Sequence, residues 1–333
     1  MLTEVEDLFF ADGNVIIQAE ESIFRVYQGF LSARSEVLNG LFTIPQPENQ
    51  ELVDKCPVVH FPDSAADMIH FLRAIFHSGY FEPYPADIKA PAVFSVLRLS
   101  HKYDVPYLRQ RAIQHLAALY PTQLEGLISY THQMWVMMFA NFCKDGYDII
   151  AVHFAAAQIA HEVGALWLLP SILYWCTVYG DVDSLLDGAE QYKEMGITRR
   201  VAIPMDYARH CVRVKAIDLS SPLFTNEFLT HRDFDMKDAT CTTPRQCRSY
   251  RHKIFISIVE VSEEGPNLFV FQDTKYWRKF EHKLCAACYQ CFRVLHSEGR
   301  LHFWRQLPKK FGLPSWNELR DMKEVDMGII AKT

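Results

Sequence analysis

The 333-residue sequence has no apolar run approaching the roughly 20 residues needed to cross a bilayer, its longest such stretches, like Met134 to Ala140, falling well short. Residues Met1 to Ala11 lack the basic start of a secretory signal, so an intracellular location without membrane contact is expected. Charge of one sign is not in large excess. The 34 Lys plus Arg against 40 Asp plus Glu leave a net charge of -6, too little to make the whole chain a nucleic-acid binder. Motifs for chemistry are equally sparse. There is no Gly-rich phosphate loop and no Ser elbow, and His161-Glu162 is followed by Ala165 where a zinc protease needs its second His. Internal repeats, low-complexity tracts and Gly/Ser linkers are missing too. The chain is therefore expected not to be an enzyme.

What is present is apolar bulk. With 49% hydrophobic and 22% charged residues, the chain can bury one large core or two ordinary ones. Nine cysteines, an odd number in a reducing compartment, read as core residues or metal ligands rather than disulfides. Charge is unevenly spread. Residues 1–120 carry nine Lys/Arg against fifteen Asp/Glu, whereas residues 241–320 carry fourteen against seven. Boundaries are placed near Tyr120-Pro121 and Ser220-Pro222.

The opening segment predicts short strands. Asp12-Gly13-Asn14 is a turn signal before Val15-Ile16-Ile17, and Phe24-Arg25-Val26-Tyr27 alternates apolar with polar, the two forming a hairpin. From Gly29, Phe30, Ala33, Val37 and Leu41 recur at helical spacing as a buried stripe. Val58 to Phe61 predicts a third strand. Asp63-Ser64 then caps a helix whose apolar face is Met68, Phe71, Leu72, Ile75 and Phe76. Two more helices follow, one with Val93, Val96, Leu97 and Ser100 inward, the next with Leu108, Ala112, His115, Leu116 and Leu119. Asp104-Val105-Pro106 separates them, Pro being well placed at a first helical turn.

These residues carry a resemblance. Phe24, Val26, Phe30-Leu31, Ala33, Ser35, Val37-Leu38 and Phe42 resemble the first block of the BTB/POZ domain. Phe61-Pro62-Asp63, Phe71-Leu72, Phe76 to Tyr80 and Leu99 to Val105 look like its later blocks, in the right order over residues 8–120. The wording of Asp12 to Val15 with Phe24-Arg25-Val26 is similar to the BTB proteins abundant in mushroom-forming (basidiomycete) fungi. The resemblance implies a small sheet packed on a helical cluster, used for protein-protein contact rather than catalysis. By the same analogy the partner is the chain itself or a cullin-type ubiquitin ligase. One departure is Tyr27-Gln28, where many members have His followed by Lys or Arg, so the basic half of a charged dimer groove is missing. Apart from the resemblance, Leu8-Phe9-Phe10 offers either exposed apolar surface or an unpaired strand edge.

Residues 121–220 read as a helical extension, with Ala151, Phe154, Ala155, Ile159, Val163, Leu166 and Trp167 at helical spacing up to Pro170. Glu162 to Pro170 again resembles the helix that follows the BTB domain in the fungal group. The match lapses over 125–147. That Met- and aromatic-rich stretch reads as a lineage-specific helix, a lipid- or partner-facing patch, or retained intron sequence. Asp181-Val182-Asp183 superficially suggests a calcium loop, but its Gly188 falls two positions late, which favours a solvated helix start.

Residues 221–333 form a mainly helical carboxyl-terminal unit with a cysteine cluster. Cys241, Cys247, Cys285 and Cys288 are the candidate metal ligands, as two pairs that could hold a structural zinc ion, with His282, His296 or His302 as substitutes. Only Cys285 and Cys288 have C-x-x-C spacing; five residues separate Cys241 from Cys247, and 37 lie between the pairs. Two alternatives stand beside zinc. One is buried thiols on a helix face with Phe292, Leu295 and Phe303; the other is a redox pair. His296 to Arg300, Trp304, Leu307-Pro308, Phe311 to Pro314 and Trp316 to Leu319 look like the closing signature of the same fungal proteins. Physically these residues cap a core, with helix restarting at Ser315 as N-cap and Glu318 three residues on. Arg245, Arg248, Arg251, Lys253, Lys275, Arg278, Lys279 and Lys283, interleaved with Tyr250, Tyr276 and Trp277, read first as a solvated surface or a partner for the acidic amino-terminal unit; the alternative function is a nucleic-acid-linked regulator that uses this face for phosphate contacts and stacking. The fold expected overall is α+β: a BTB/POZ domain followed by mainly α-helical sequence.

Overall fold

The computed structural model describes residues 2–44, 51–129, 132–143, 148–191, 199–215, 241–250, 253 and 280–329; within these, the side chains of 127–129, 132–136, 190–191, 199–200 and 295–296 are left aside. The fold is mixed, a small five-stranded sheet among mostly helices. Strands β1 (Thr3–Phe9), β2 (Val15–Ala19), β3 (Ser22–Val26), β4 (Leu52–Val53) and β5 (Cys56–Phe61) lie in the order β1-β3-β2-β5-β4. β2 pairs antiparallel with β3 and parallel with β5, while β1 runs parallel to β3 along the edge. The predicted hairpin is therefore β2–β3, turning at Glu20, whose φ of 50° is left-handed. Asp12-Gly13 instead joins β1 to β2. Beyond the strand edge offered by Leu8-Phe9-Phe10, β1 and β4 were not anticipated: one carries three acids among its seven residues and the other is only two residues long, so neither shows a clean apolar alternation.

Val15 and Ile17 face the main core, and Ile16 packs on the opposite face with Ile23, Cys56 and Val58. Burial on both faces explains the unbroken Val15-Ile16-Ile17 run. Against the sheet lie α1 (Gln28–Ser32), α2 (Glu36–Thr43), α3 (Ala65–Phe76), α4 (Ala90–Lys102) and α5 (Pro106–Leu119). The stripe expected from Gly29 is corrected by one residue. Leu31 and Leu38 are buried, while Phe30 and Val37 are 40% and 46% exposed. The chain breaks into two helices at Ala33 to Ser35, and Ser35 caps α2 by accepting from the Leu38 amide at 2.9 Å. The faces of α3, α4 and α5 are as expected, with Ser64 capping α3 and Pro106 opening α5.

Next come α6 (Leu124–Ser129), α7 (His132–Phe142), α8 (Ile149–Glu162), a 3-10 turn at Leu166–Leu168, α9 (Leu169–Tyr179) and α10 (Val182–Asp187). Phe139 and Phe142 of α7 are buried, Phe139 against Tyr120 and His153 and Phe142 edge-on to Phe94. Asp181 caps α10 through the Ser184 amide, the solvated helix start expected there. A two-stranded hairpin, β6 (Ala189–Gln191) with β7 (Arg199–Val201), interrupts the helices before α11 (Met205–Arg213).

The described carboxyl-terminal residues are helical: 244–250, α12 (Ala286–Lys310) and α13 (Trp316–Asp326). Ser315 and Glu318 form the expected capping box. Trp304 stacks on Trp316 at 4.8 Å, and both join Leu307, Phe311 and Leu313 in a main core that draws residues from Leu8 to Leu319. Phe303 belongs to this core, not to the cysteine face proposed for it. A separate small core holds Cys247, Phe280, Leu284 and Phe292. The Ser220-Pro222 boundary and Arg251, Lys275, Tyr276, Trp277, Arg278 and Lys279 lie outside the described residues. Among those described, no helix is long and apolar enough to cross a membrane.

Candidate functional site

Two features of the described residues offer chemistry or contact. The first is a cluster of four cysteines. Cys241 precedes the helical segment 244–250, Cys247 sits within it, Cys285 is the N-cap of α12, and Cys288 lies in its first turn. Their Sγ atoms all fall within 4.8 Å of one another. Cys241 Sγ is 3.5 Å from Cys288 Sγ and 3.8 Å from Cys285 Sγ. Four thiolates around one tetrahedral ion at a metal–sulfur distance of about 2.3 Å would stand about 3.8 Å apart. The cluster is thus at coordination spacing, although two of its members are 44 residues apart in sequence.

The surroundings treat the four sulfurs unequally. The Cys285 amide donates to Cys247 Sγ at 3.4 Å, and Thr243 Oγ1 lies 3.2 Å from the same sulfur. Burial pushes the Cys285 thiol up, but the amides of Cys288 and Thr242 and the neighbouring thiols outweigh it and bring the group down to about 6. Cys288 moves the other way, raised by burial and then by its hydrogen bonds to Cys241 and Cys285; Cys241 is raised by burial first. Four such groups cannot all ionise at this spacing without a cation between them. Cys247 is buried and the other three half-buried, whereas Cys291 is exposed and outside the cluster. The histidine substitutes are not drawn in: His282 and His302 are exposed, and the His296 side chain lies outside the description. Of the basic face, Arg245, Arg248, Lys253 and Lys283 are exposed, and Lys253 and Lys283 both sit on the Tyr250 ring, at 4.9 and 5.8 Å.

The second feature is the sheet edge at β1. Arg73 of α3 fixes the strand through Asp7, with contacts of 2.8 and 3.0 Å, and its hydrogen bond holds the Asp7 carboxyl below the usual range. His77 Nε2 meets the Asp7 carbonyl at 3.1 Å. Beyond the strand, Phe10 lies tilted against Tyr27 at 5.2 Å and against Phe76 at 5.5 Å, and Phe76 in turn stacks on Phe30 at 5.3 Å. An aromatic row thus leads from the end of the edge strand to the exposed Phe30 of α1, and Val37 of α2 is exposed as well. The expectation for Leu8-Phe9-Phe10 divides: Leu8 is fully buried and Phe9 and Phe10 half-buried, so the edge is real and the apolar surface lies on α1 and α2 instead. Sequence periodicity missed that surface, because it assigned Phe30 and Val37 to the core.

Comparison with protein-family models, with curated proteins and with solved structures finds no match to this chain.

Proposed function

We propose that this chain is a non-catalytic interaction adapter whose leading unit, residues 8–120, is of BTB/POZ type and joins it to a second copy of itself. The observation that carries the reading is the row from the end of β1 through Phe10 and Phe76 to the exposed Phe30. An exposed Phe joined by an aromatic row to the edge strand of a sheet, with a second exposed apolar side chain at Val37, is the kind of surface a self-complementary interface uses. Of the acids on the strand, Asp7 is paired with Arg73, and Glu4 and Glu6 are exposed, so the contact falls to the aromatic row rather than to the strand itself. A cullin-type ligase is the further partner class that the family resemblance supplies. The adapter also carries a structural zinc ion at Cys241, Cys247, Cys285 and Cys288, for which the sulfur spacing is the support.

Sedimentation velocity of the full chain tests the reading. The wild type is expected to form a dimer in the micromolar range, and Phe30→Asp with Val37→Asp to weaken it at least about tenfold without loss of fold. A wild type that stays monomeric at high concentration overturns self-association. Removing residues 1–11 is the poorer experiment, because it takes Leu8 out of the main core.

A further inference from the structure

We infer that zinc folds a discrete module, made of residues 241–250 and 280–292, at the outer end of α12, and that losing the metal unfolds this module while the main core stays folded. The inference rests on the zinc reading above and adds what the ion does for the chain.

The ligand set is closed. Four thiolates would complete a tetrahedral zinc ion without water or substrate, which is the ligand set of a structural rather than a catalytic zinc ion. Loading forms four Zn–S bonds, and the thiol protons displaced go to solvent. The resulting centre is a dianion, and Arg245, Arg248 and Lys283 in the same segments supply the opposite charge.

The cysteines are themselves part of the core of the module. Among the described residues that core buries Cys247 with Phe280, Leu284 and Phe292, and Cys241, Tyr250, Cys285, Cys288 and Tyr289 pack against it partly buried. Four thiolates held on one ion would add bonds between the two segments that exist only in the folded form, so metal binding contributes directly to the folding free energy. One backbone feature involves the centre directly. The amide of Cys285, at the N-cap position of α12, donates to Cys247 Sγ and so links the helix start to the other segment.

The module is also separated from the main core. Along α12, Arg293, Val294, Ser297 and Glu298 are exposed, and burial resumes at Arg300. Phe303, where the main core is reached, lies about 22 Å along the helix from Cys288 at about 1.5 Å per residue. Among the described residues the two cores share no buried side chain, and α12 carries the chain from one to the other. Local opening around the metal ligands is then separable from opening of the main core.

The test uses the full-length chain. Purified protein is expected to hold about one zinc ion per chain, retained in Cys291→Ser and lost in Cys285→Ser, and cobalt(II) in its place should give the sulfur-to-metal charge-transfer band of a tetrahedral thiolate site. Chelation under reducing conditions should then speed hydrogen exchange at least about tenfold in 244–250 and 286–292 while α4 and α8 keep their protection. Neither zinc nor a cobalt–thiolate band in the wild type overturns the zinc reading and this inference together. Metal bound, with exchange in the module unchanged by chelation, overturns the inference and spares the site. Protection lost across α4 and α8 as well overturns the separateness of the module.

Discussion

Arg109 of α5 and Asp326 at the end of α13 form an ion pair of 2.9 Å, which ties the closing helix to the leading unit. The other Asp326 oxygen accepts the Trp167 indole N–H at 2.7 Å, and Gln110 donates to the Met327 carbonyl at 2.9 Å. Both charged side chains are mostly covered, 22% and 15% exposed, so the pair is neither a weak surface bridge nor a fully buried one.

Asp326→Ala should therefore cost about 2–3 kcal/mol, since it leaves the Trp167 N–H without its acceptor and the Arg109 guanidinium without its counter-charge, Nη2 keeping only the Val163 carbonyl at 3.3 Å. Urea unfolding measures it. Combining it with Arg109→Ala should cost less than the sum of the two; additive losses would mean that the pair does not couple the helices.

Ser35 serves two elements. It caps α2 at the Leu38 amide and its hydroxyl donates to the Tyr103 carbonyl. Ser35→Ala should lower stability by about 1–2 kcal/mol, at the upper end of cap losses because a buried carbonyl is orphaned as well. A change under about 0.5 kcal/mol in thermal or urea unfolding would contradict the structure.

His153 is fully buried, shares a hydrogen bond of 2.8 Å between its Nδ1 and Tyr120 Oη, and is brought from 6.5 down to about 3 by burial. His70 is similarly brought down to about 4 by burial. A group whose charged form is disfavoured in the fold binds its proton in the unfolded chain first. Stability is then full above about pH 6.5 and falls with pH from there, to about 4 for His70 and about 3 for His153. Each histidine contributes a slope of at most about 1.4 kcal/mol per pH unit. Urea midpoints for the wild type and for His153→Asn between pH 7 and 4.5 should show a shallower slope in the variant; equal slopes would count against a neutral buried His153.

Gly188 stands at φ 88°, where a Cβ would come 2.7 Å from the Val201 carbonyl oxygen. Gly188→Ala should destabilise by about 1–3 kcal/mol through backbone strain and the displaced β6–β7 hairpin. Unfolding that matches the wild type would mean the hairpin shifts freely.

The helices and their caps were legible because burial imposes a period on them. Met68, Phe71, Leu72 and Ile75 could be read as one face, and Ser64, Ser315 and Asp181 announced their caps by local hydrogen-bond chemistry. Period alone failed where a break intervened. The interruption at Ala33 to Ser35 moves the inward positions from Phe30 and Val37 to Leu31 and Leu38, a shift that spacing cannot see. β1 was hidden for another reason: an edge strand buries little, so Thr3-Glu4-Val5-Glu6-Asp7 need not alternate.

The cysteines show the same division. The residue types named the chemistry, and the short Cys285–Cys288 step put two sulfurs within reach of one another. Whether Cys241 and Cys247 would arrive across the intervening residues is not a property of spacing. Local propensity and the two characteristic periods settled which segments became helix, where they were capped and which side chains were apolar enough to be covered. The meeting of Arg109 with Asp326, the choice of Phe30 over Leu31 for the surface, and the gathering of four thiols were decided only when the chain packed, because each depends on contacts between segments whose separation in sequence carries no information about their distance in space.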